Sequence, residues 1–257
     1  ILVRPDPQAI WQPAGSPLWK KADATYHRSK TGGGHWEVRQ LPEQWTIHYE
    51  ELVFNIKPMS FKHTGVFPEQ GANWDFITEM IQKRLKRGGE QPNVLNLFAY
   101  TGGATLAARA AGADVTHVDS VKQVVTWSRE NMESSGLDGV RWIVEDATKF
   151  VEREVRRGNR YNGIILDPPA YGRGANGEKW VLEENITQML ECCAELLEPT
   201  NSFLVLNLYS MGLSSTLART AVRQCFGVPK VEECGELYFE DKADKQLPLG
   251  TYYRFRR

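Results

Sequence analysis

The chain has 257 residues, 41% of them hydrophobic and 25% charged, with a formal net charge of −1. These values suit one large globular domain, alone or with a small companion, and need no disulfide staples. No apolar run approaches the ~18 residues of a membrane span, and a near-neutral chain has no global basic field for nucleic acid.

The first ~60 residues hold four of the eight tryptophans (Trp11, Trp19, Trp36 and Trp45), several prolines and the loop "KTGGGHW". Pieces such as "HWEVRQL" and "WTIHYEELVFNIKP" lack a helical period, so residues 1–60 read as a small β-rich subdomain. "GANWDFITEMIQKRLKRGG" then predicts a helix with Trp74, Ile77, Ile81 and Leu85 on one face, stopped by the double glycine. From residue 93 strand and helix alternate. "NVLNLF", "ADVTHVD", "VRWIVED", "YNGIILD" and "SFLVLNLY" are strand-like. "GATLAARAAG", "VKQVVTWSRENMESSG", "ATKFVEREVRRG", "VLEENITQMLECCAELLEP" and "LSSTLARTAVRQCFG" are helical. Regular βα alternation predicts an α/β domain over 61–257, its parallel sheet covered on both faces. The closing pieces "VEECGELYFE" and "GTYYRFRR" have no helix between them and predict an antiparallel edge.

Ligands of open α/β sheets bind beyond the carboxyl ends of the strands. After the first strand, Gly102 and Gly103 stand where the chain turns into a helix, allowing close backbone approach and offering free N–H groups. The spacing is not G-x-G-x-x-G, so the dinucleotide fingerprint is absent. After the second strand comes Asp119, suited to accept from both ribose hydroxyls or, with Ser120, to cap the next helix. After the third comes Asp146, suited to an adenine amine or again to a cap. After the fourth comes Asp167-Pro168-Pro169. Each proline fixes φ and restricts the residue before it, so this loop is expected to be stiff. Tyr171 follows as a stacking face, with Gly172, Gly174 and Gly177 leaving room.

The segments "VLNLFAYTGGATLAARAAGA", "VDS", "VEDATKF" and "IILDPPAYGRG" resemble the class I S-adenosylmethionine-dependent methyltransferases. They are most similar to the bacterial large-subunit ribosomal RNA methyltransferases, which also place a segment like "HTGVFPEQGANWDFI" before the first strand. The resemblance covers about residues 60–257. It implies a Rossmann-like, seven-stranded, mostly parallel sheet with the last strand inserted antiparallel. It implies that Phe98, Ala99, Tyr100, Thr101, Gly102 and Gly103 cradle the methionine part of S-adenosyl-L-methionine. Asp119 would hold the ribose, and Asp146 with Ala147 the adenine side. Asp167 and Pro168 would face the methyl group and its acceptor, with Tyr171 stacking on the target, while Phe67 and Asn73 help close the site. The implied partner is ribosomal RNA. Family members often carry an N-terminal RNA-binding module of another type; here the Trp-rich segment stands in its place.

Methyl transfer asks chiefly for alignment of nucleophile, carbon and sulfur. Carbon-5 of cytosine also needs a cysteine adduct. Relatives of that type carry a cysteine after the fifth strand, where this chain reads "LNLYSMGLSS". A ring nitrogen or exocyclic amine is therefore the expected target. A protein or small-molecule acceptor is the alternative within the enzyme class. A basic surface from Lys20, Lys21, Arg173 and Lys179 around the proline loop would favour RNA, and a closed apolar pocket would favour the alternative. A nicotinamide-dependent oxidoreductase is opposed by the missing fingerprint and the "DPPAY" loop. A non-catalytic RNA-binding module is opposed by chemistry-bearing residues at all four strand ends.

Cys192, Cys193, Cys225 and Cys234 are spaced for neither a disulfide framework nor a zinc site, so a reducing cytoplasmic compartment and no metal are expected. The basic runs "QKRLKRGG", "EREVRRGNR" and "YYRFRR" each read singly as a solvated face or tail. The first residue is Ile1 rather than methionine, which leaves the native start and any leader open, as the oligomeric state is.

Overall fold

A computed structural model describes residues 1–13, 15–29, 33–174, 177–209 and 212–257. In chain order the elements are β1 (Leu2–Val3), β2 (Ala24–Arg28), β3 (Gly34–Val38), β4 (Trp45–Tyr49), β5 (Leu52–Ile56) and α1 (Gly71–Lys86). The alternating region follows with β6 (Asn93–Leu97), α2 (Gly103–Ala110), β7 (Asp114–Asp119), α3 (Lys122–Ser134), β8 (Val140–Val144), α4 (Ala147–Arg156) and β9 (Gly163–Leu166). Then come β10 (Tyr171–Arg173), β11 (Lys179–Val181), α5 (Leu182–Leu196), β12 (Phe203–Leu208), α6 (Ser215–Phe226), β13 (Val231–Glu240) and β14 (Gln246–Arg256).

Among the described residues the main sheet has seven strands in the order β13-β14-β12-β9-β6-β7-β8. The five from β12 to β8 are parallel. The last strand, β14, is inserted antiparallel between β12 and β13. Central strands buried on both faces read as continuous apolar runs, and successive side chains take opposite faces. Leu95, Leu97, Ile164, Leu166, Leu204 and Leu206 pack with Phe150 of α4, Met189 and Cys193 of α5 and Val222 of α6. Val94, Ile165 and Val205 turn the other way, onto Phe76, Ile77 and Ile81 of α1 and Ala108 of α2.

That alternation places the site. On the α1 side, Val94 is followed two residues on by Asn96, Ile165 by Asp167 and Val205 by Asn207. Three neighbouring strands thus end in polar side chains on one face, at their carboxyl ends.

β1, β2 and β3 form a separate three-stranded sheet, and β4 pairs with β5 as a hairpin. Leu52, Phe54 and Ile56 of the hairpin are buried against Trp74 and Leu106. Asn131 Oδ1 accepts from the Asn55 N–H at 2.8 Å, and the Trp127 indole donates to Asn55 O at 2.6 Å. Residues on both sides of residue 60 share this core.

Two details depart from the sequence reading. The proline loop does not run on irregularly: it enters an antiparallel hairpin of β10 with β11. The buried Trp180 anchors it, donating to Pro169 O at 2.7 Å and packing its ring 4.7 Å from that of Phe98. The last strand begins at Gln246, four residues before the expected start, because β13 and β14 continue as a hairpin beyond the sheet. The glycine loop expected at "KTGGGHW" lies partly outside the described residues.

Candidate cofactor and acceptor site

The backbone after β6 is strained. Phe98 and Tyr100 have φ of 54° and 48°, and Gly102 has φ 89°. Left-handed non-glycine residues cost on the order of 1 kcal/mol or more, and such strain gathers at ligand clamps. Named partners hold the loop. The Tyr100 N–H donates to Asp119 Oδ2 at 3.0 Å, the Ser128 hydroxyl to Tyr100 O at 2.7 Å, and the Asn131 amide to Thr101 O at 2.9 Å. Beneath the loop, the Asn96 amide donates to Thr105 Oγ1 at 2.9 Å, and Thr105 Oγ1 lies 2.9 Å from His117 Nδ1. Burial lowers His117 to about 3, so its imidazole is neutral. Gly103 has to be glycine for packing: a Cβ would meet Trp74 Cζ2 at 2.4 Å, so α2 could not start so close to α1.

Asp119 ties two backbone segments together. Oδ1 accepts from the Val121 N–H at 2.9 Å while Oδ2 holds Tyr100. Burial pushes its carboxyl above the usual range. Asp146 caps α4, accepting from the Lys149 N–H at 3.0 Å, and Ala147 is buried behind it.

A cavity of about 40 Å³ lies between α1 and the strand ends. Phe67, Asn73, Phe98, Ala99, Tyr100, Thr101, Gly103 and Asp167 line it, joined by Gln70, Asn96 and Asn207. The Asn207 amide donates to Asp167 Oδ1 at 2.9 Å. Asn73 donates to Gln70 Oε1 at 2.8 Å, and Gln70 donates to the Tyr209 hydroxyl at 2.6 Å. Asn207 Oδ1 is buried with no hydrogen-bond partner among the described residues. Such an orphaned acceptor is costly unless a donor fills it. Burial pushes Asp167 up to about 7; nearby Glu69 adds to the shift and the Asn207 amide opposes it.

A wider cleft of about 440 Å³ adjoins, sharing Val66 and Phe67 with the first cavity. Arg4, Lys62, His63, Glu69, Pro169, Ala170 and Tyr209 line it. The Phe67 ring lies 4.9 Å from His63, 5.3 Å from Tyr100 and 5.5 Å from Tyr209. Burial pushes the Glu69 carboxyl up and takes His63 down to about 4.

Of the residues expected from sequence, Gly102 adjoins the first cavity as the left-handed residue before α2, and Asp119 is bonded to its wall. Pro168 is buried behind Asp167. Asp146 and Ala147 lie outside both cavities, one helix start away. Tyr171 also lines neither: it is 52% exposed, and its hydroxyl accepts from Arg173 Nε at 2.9 Å. Sequence reasoning missed Gln70, Asn96, His117, Trp180, Asn207 and Tyr209. A signal existed for two: Asn96 and Asn207 are lone polar residues inside the apolar runs "VLNLF" and "LVLNLY".

Among the described residues no group of three or more His, Cys, Asp or Glu side chains could hold a metal ion, and no helix is long and apolar enough to cross a membrane.

Comparison with known proteins adds a family. Residues 17–241 match the model of a family described as S-adenosylmethionine-dependent methyltransferases. The chain is 32% identical over 158 residues to a ribosomal RNA large subunit methyltransferase K/L of Shewanella frigidimarina, covering 60% of this chain and 21% of that protein. It is 27% identical over 174 residues to the protein of that name in Pseudoalteromonas atlantica, covering 66% and 23%. The chain therefore spans about a fifth to a quarter of these curated relatives. The crystal structure of a SAM-dependent methyltransferase from Agrobacterium tumefaciens superposes with a TM-score of 0.92 at 37% identity, covering 99% of this chain and 84% of that one.

Proposed function

The chain belongs to the S-adenosylmethionine-dependent methyltransferases, and from that premise we propose that it methylates a base of ribosomal RNA at a ring nitrogen or exocyclic amine. The cofactor supplies an electrophilic methyl group on its sulfonium. The residues present fit it. The strained loop Phe98–Gly103 would hold the methionine end, where Asn207 Oδ1 offers an acceptor to an ammonium group. Asp119 would accept from the ribose and Asp146, with Ala147, would stand at the adenine side.

The observation that carries the acceptor reading is the adjoining cleft, where aromatic rings stand beside Glu69, with Asp167 in the neighbouring cavity. An unstacked base needs such faces, worth about 1–3 kcal/mol each. Phe67 and Tyr209 supply them inside the cleft, and the exposed Tyr171 supplies one at the hairpin. Asp167 and Glu69 can accept the proton of an N–H nucleophile. Lys62 in the cleft is paired with Asp6 at 2.6 Å, but Arg4 in the cleft, and exposed Arg173 and Lys179 on the hairpin, suit a phosphate backbone better than a small apolar acceptor. The relatives named as ribosomal RNA large subunit methyltransferases support ribosomal RNA as the acceptor. All four cysteines are free, which suits a reducing cytoplasm.

A second reading, a protein or small-molecule acceptor, is favoured by the net charge of −1. Transfer of labelled methyl groups to ribosomal RNA, with protein and metabolite fractions offered as alternative acceptors, separates the two. Label in RNA supports the first reading, and label confined to the other fractions overturns it.

A further inference from the structure

Two basic runs far apart in sequence meet at the end of the sheet opposite the cofactor cavity. "QKRLKRGG" closes α1, and "YYRFRR" closes β14. Between them is a cleft of about 300 Å³ whose rim carries Lys83, Arg84, Arg87, Arg256 and Arg257, over a floor that includes Ile81 and Phe203. Basic residues at a helix C-terminus stabilise its dipole, which accounts for the α1 run alone. It does not account for two further arginines arriving from the last strand.

The cations are not equivalent. Lys83 is paired with Glu79. Arg84 is structural, donating to Glu90 O at 2.9 Å and to Asn201 O at 3.1 Å. Arg87, Arg256 and Arg257 form no ion pair with any described residue, and all three are exposed. A chain of net charge −1 has thus gathered five cations around one cleft; Arg257 lies over the Phe255 and Phe226 rings at 5.7 and 6.0 Å, while Arg87 and Arg256 are uncommitted among the described residues. One phosphate would not need so many, whereas a polyanion would use them in a row.

We propose that this cleft binds the phosphate backbone of a second segment of the substrate RNA, away from the nucleotide being methylated. The proposal rests on the ribosomal RNA reading above. The cleft borders the amino ends of β9 and β12 at Asn162 and Ser202, and the cofactor cavity holds Asp167 and Asn207 at their carboxyl ends. Five residues along each strand separate them, roughly 16 Å at about 3.3 Å per residue. A folded RNA can span that distance, so one segment would be gripped by charge while another offers its base. Phosphate contacts carry no sequence information, so the cleft would set register and affinity, and the acceptor cleft would choose the base.

The test measures binding of a fluorescein-labelled fragment of large-subunit ribosomal RNA against salt, for wild type, Arg87→Glu/Arg256→Glu and the control Arg129→Glu on α3. Calorimetry with S-adenosylmethionine and a melting curve report on each protein's integrity. The double variant should bind RNA at least about tenfold more weakly at ~100 mM salt. Its slope of log K against log salt should fall by about 1.4–1.8, for two phosphate contacts at about 0.7–0.9 each. Cofactor affinity and Tm should be unchanged. Wild-type RNA affinity and slope in the double variant would overturn the proposal and leave the cleft to an acidic protein partner. An equal loss per charge in Arg129→Glu would overturn it too, as an effect of net charge. A wild-type protein that binds no ribosomal RNA would instead overturn the RNA reading on which the proposal rests.

Discussion

Asn207 reaches from the end of β12 to Asp167 at the end of β9, its amide donating to Oδ1 at 2.9 Å. The pair lines the cavity proposed for the cofactor, and burial, against the pull of the Asn207 amide, makes Asp167 a carboxyl that titrates near neutrality. Burial raises it from an ordinary value of 3.8 to about 7. The folded chain therefore keeps a proton that the unfolded chain has released. The resulting stability is fully present below about pH 4 and is lost as pH rises through about 7. Asp167→Asn removes that loss, so the variant should gain on wild type between pH 5 and pH 8. The gain should be on the order of 2 kcal/mol, or several degrees of Tm. Melting curves at the two pH values check this, and a pH-independent difference would mean that Asp167 titrates as an ordinary surface carboxylate. The same variant should bind cofactor with near-normal affinity and transfer methyl groups poorly.

Asp119 is expected to serve the cofactor as well as the loop. Its carboxylate accepts from the backbone of Tyr100 and Val121 and would accept from two ribose hydroxyls. Charge-assisted hydrogen bonds are worth roughly 1.5–3 kcal/mol each before water compensates. Calorimetry on Asp119→Ala should show S-adenosylmethionine affinity lower by at least about tenfold. Undiminished affinity would leave Asp119 as a structural tie alone.

Trp180 holds the proline loop through Pro169 O and through Phe98. Trp180→Phe keeps an aromatic ring but leaves the Pro169 carbonyl without its donor, a cost of about 1–3 kcal/mol. The loop's stiffness should suffer before the fold does. Methyl transfer should fall several-fold in kcat with little change in KM for the cofactor. A variant that loses cofactor affinity and keeps kcat would show that Trp180 supports the Phe98 loop and not the acceptor side.

How far the sequence revealed this arrangement depends on distance along the chain. The five parallel strands were legible because each is a short stretch rich in apolar residues set between helical periods, and β6, β9 and β12 are the most buried of them. Gly102, Asp119, Asp146 and Asp167 were legible because each stands at or shortly after the carboxyl end of such a stretch. Gln70, Tyr209 and Asn207 were not, because their roles exist only once distant segments meet: Gln70 bonds Tyr209 across 139 residues. The β10–β11 hairpin escaped because its strands have three residues each, too few to show a period. Tyr171 was read as a stacking face from its nearness in sequence to Asp167, and the hairpin holds it exposed, outside both cavities.

The cysteines should be dispensable for chemistry. Cys193 is fully buried among Met189, Leu190 and Leu196, and burial pushes its thiol far above the usual range. Burial also raises Cys192 and Cys225. No cysteine lines either cavity, although Ser210 and Met211 of the segment after β12 lie outside the described residues. Replacing all four with serine or alanine should lower Tm, chiefly through Cys193, and preserve methyl transfer. No covalent complex should form on a 5-fluorocytosine substrate. An adduct lost on replacing one cysteine would overturn the nitrogen target.

The most direct measurement is a mass map of methylated nucleosides in large-subunit ribosomal RNA from a strain lacking the gene, complemented with wild type or with Asp167→Ala. The account predicts the loss of one nucleoside methylated on a ring nitrogen or exocyclic amine, restored by wild type and not by Asp167→Ala. An unchanged map, with methyl label passing from S-adenosylmethionine to protein or to a small molecule, would contradict it.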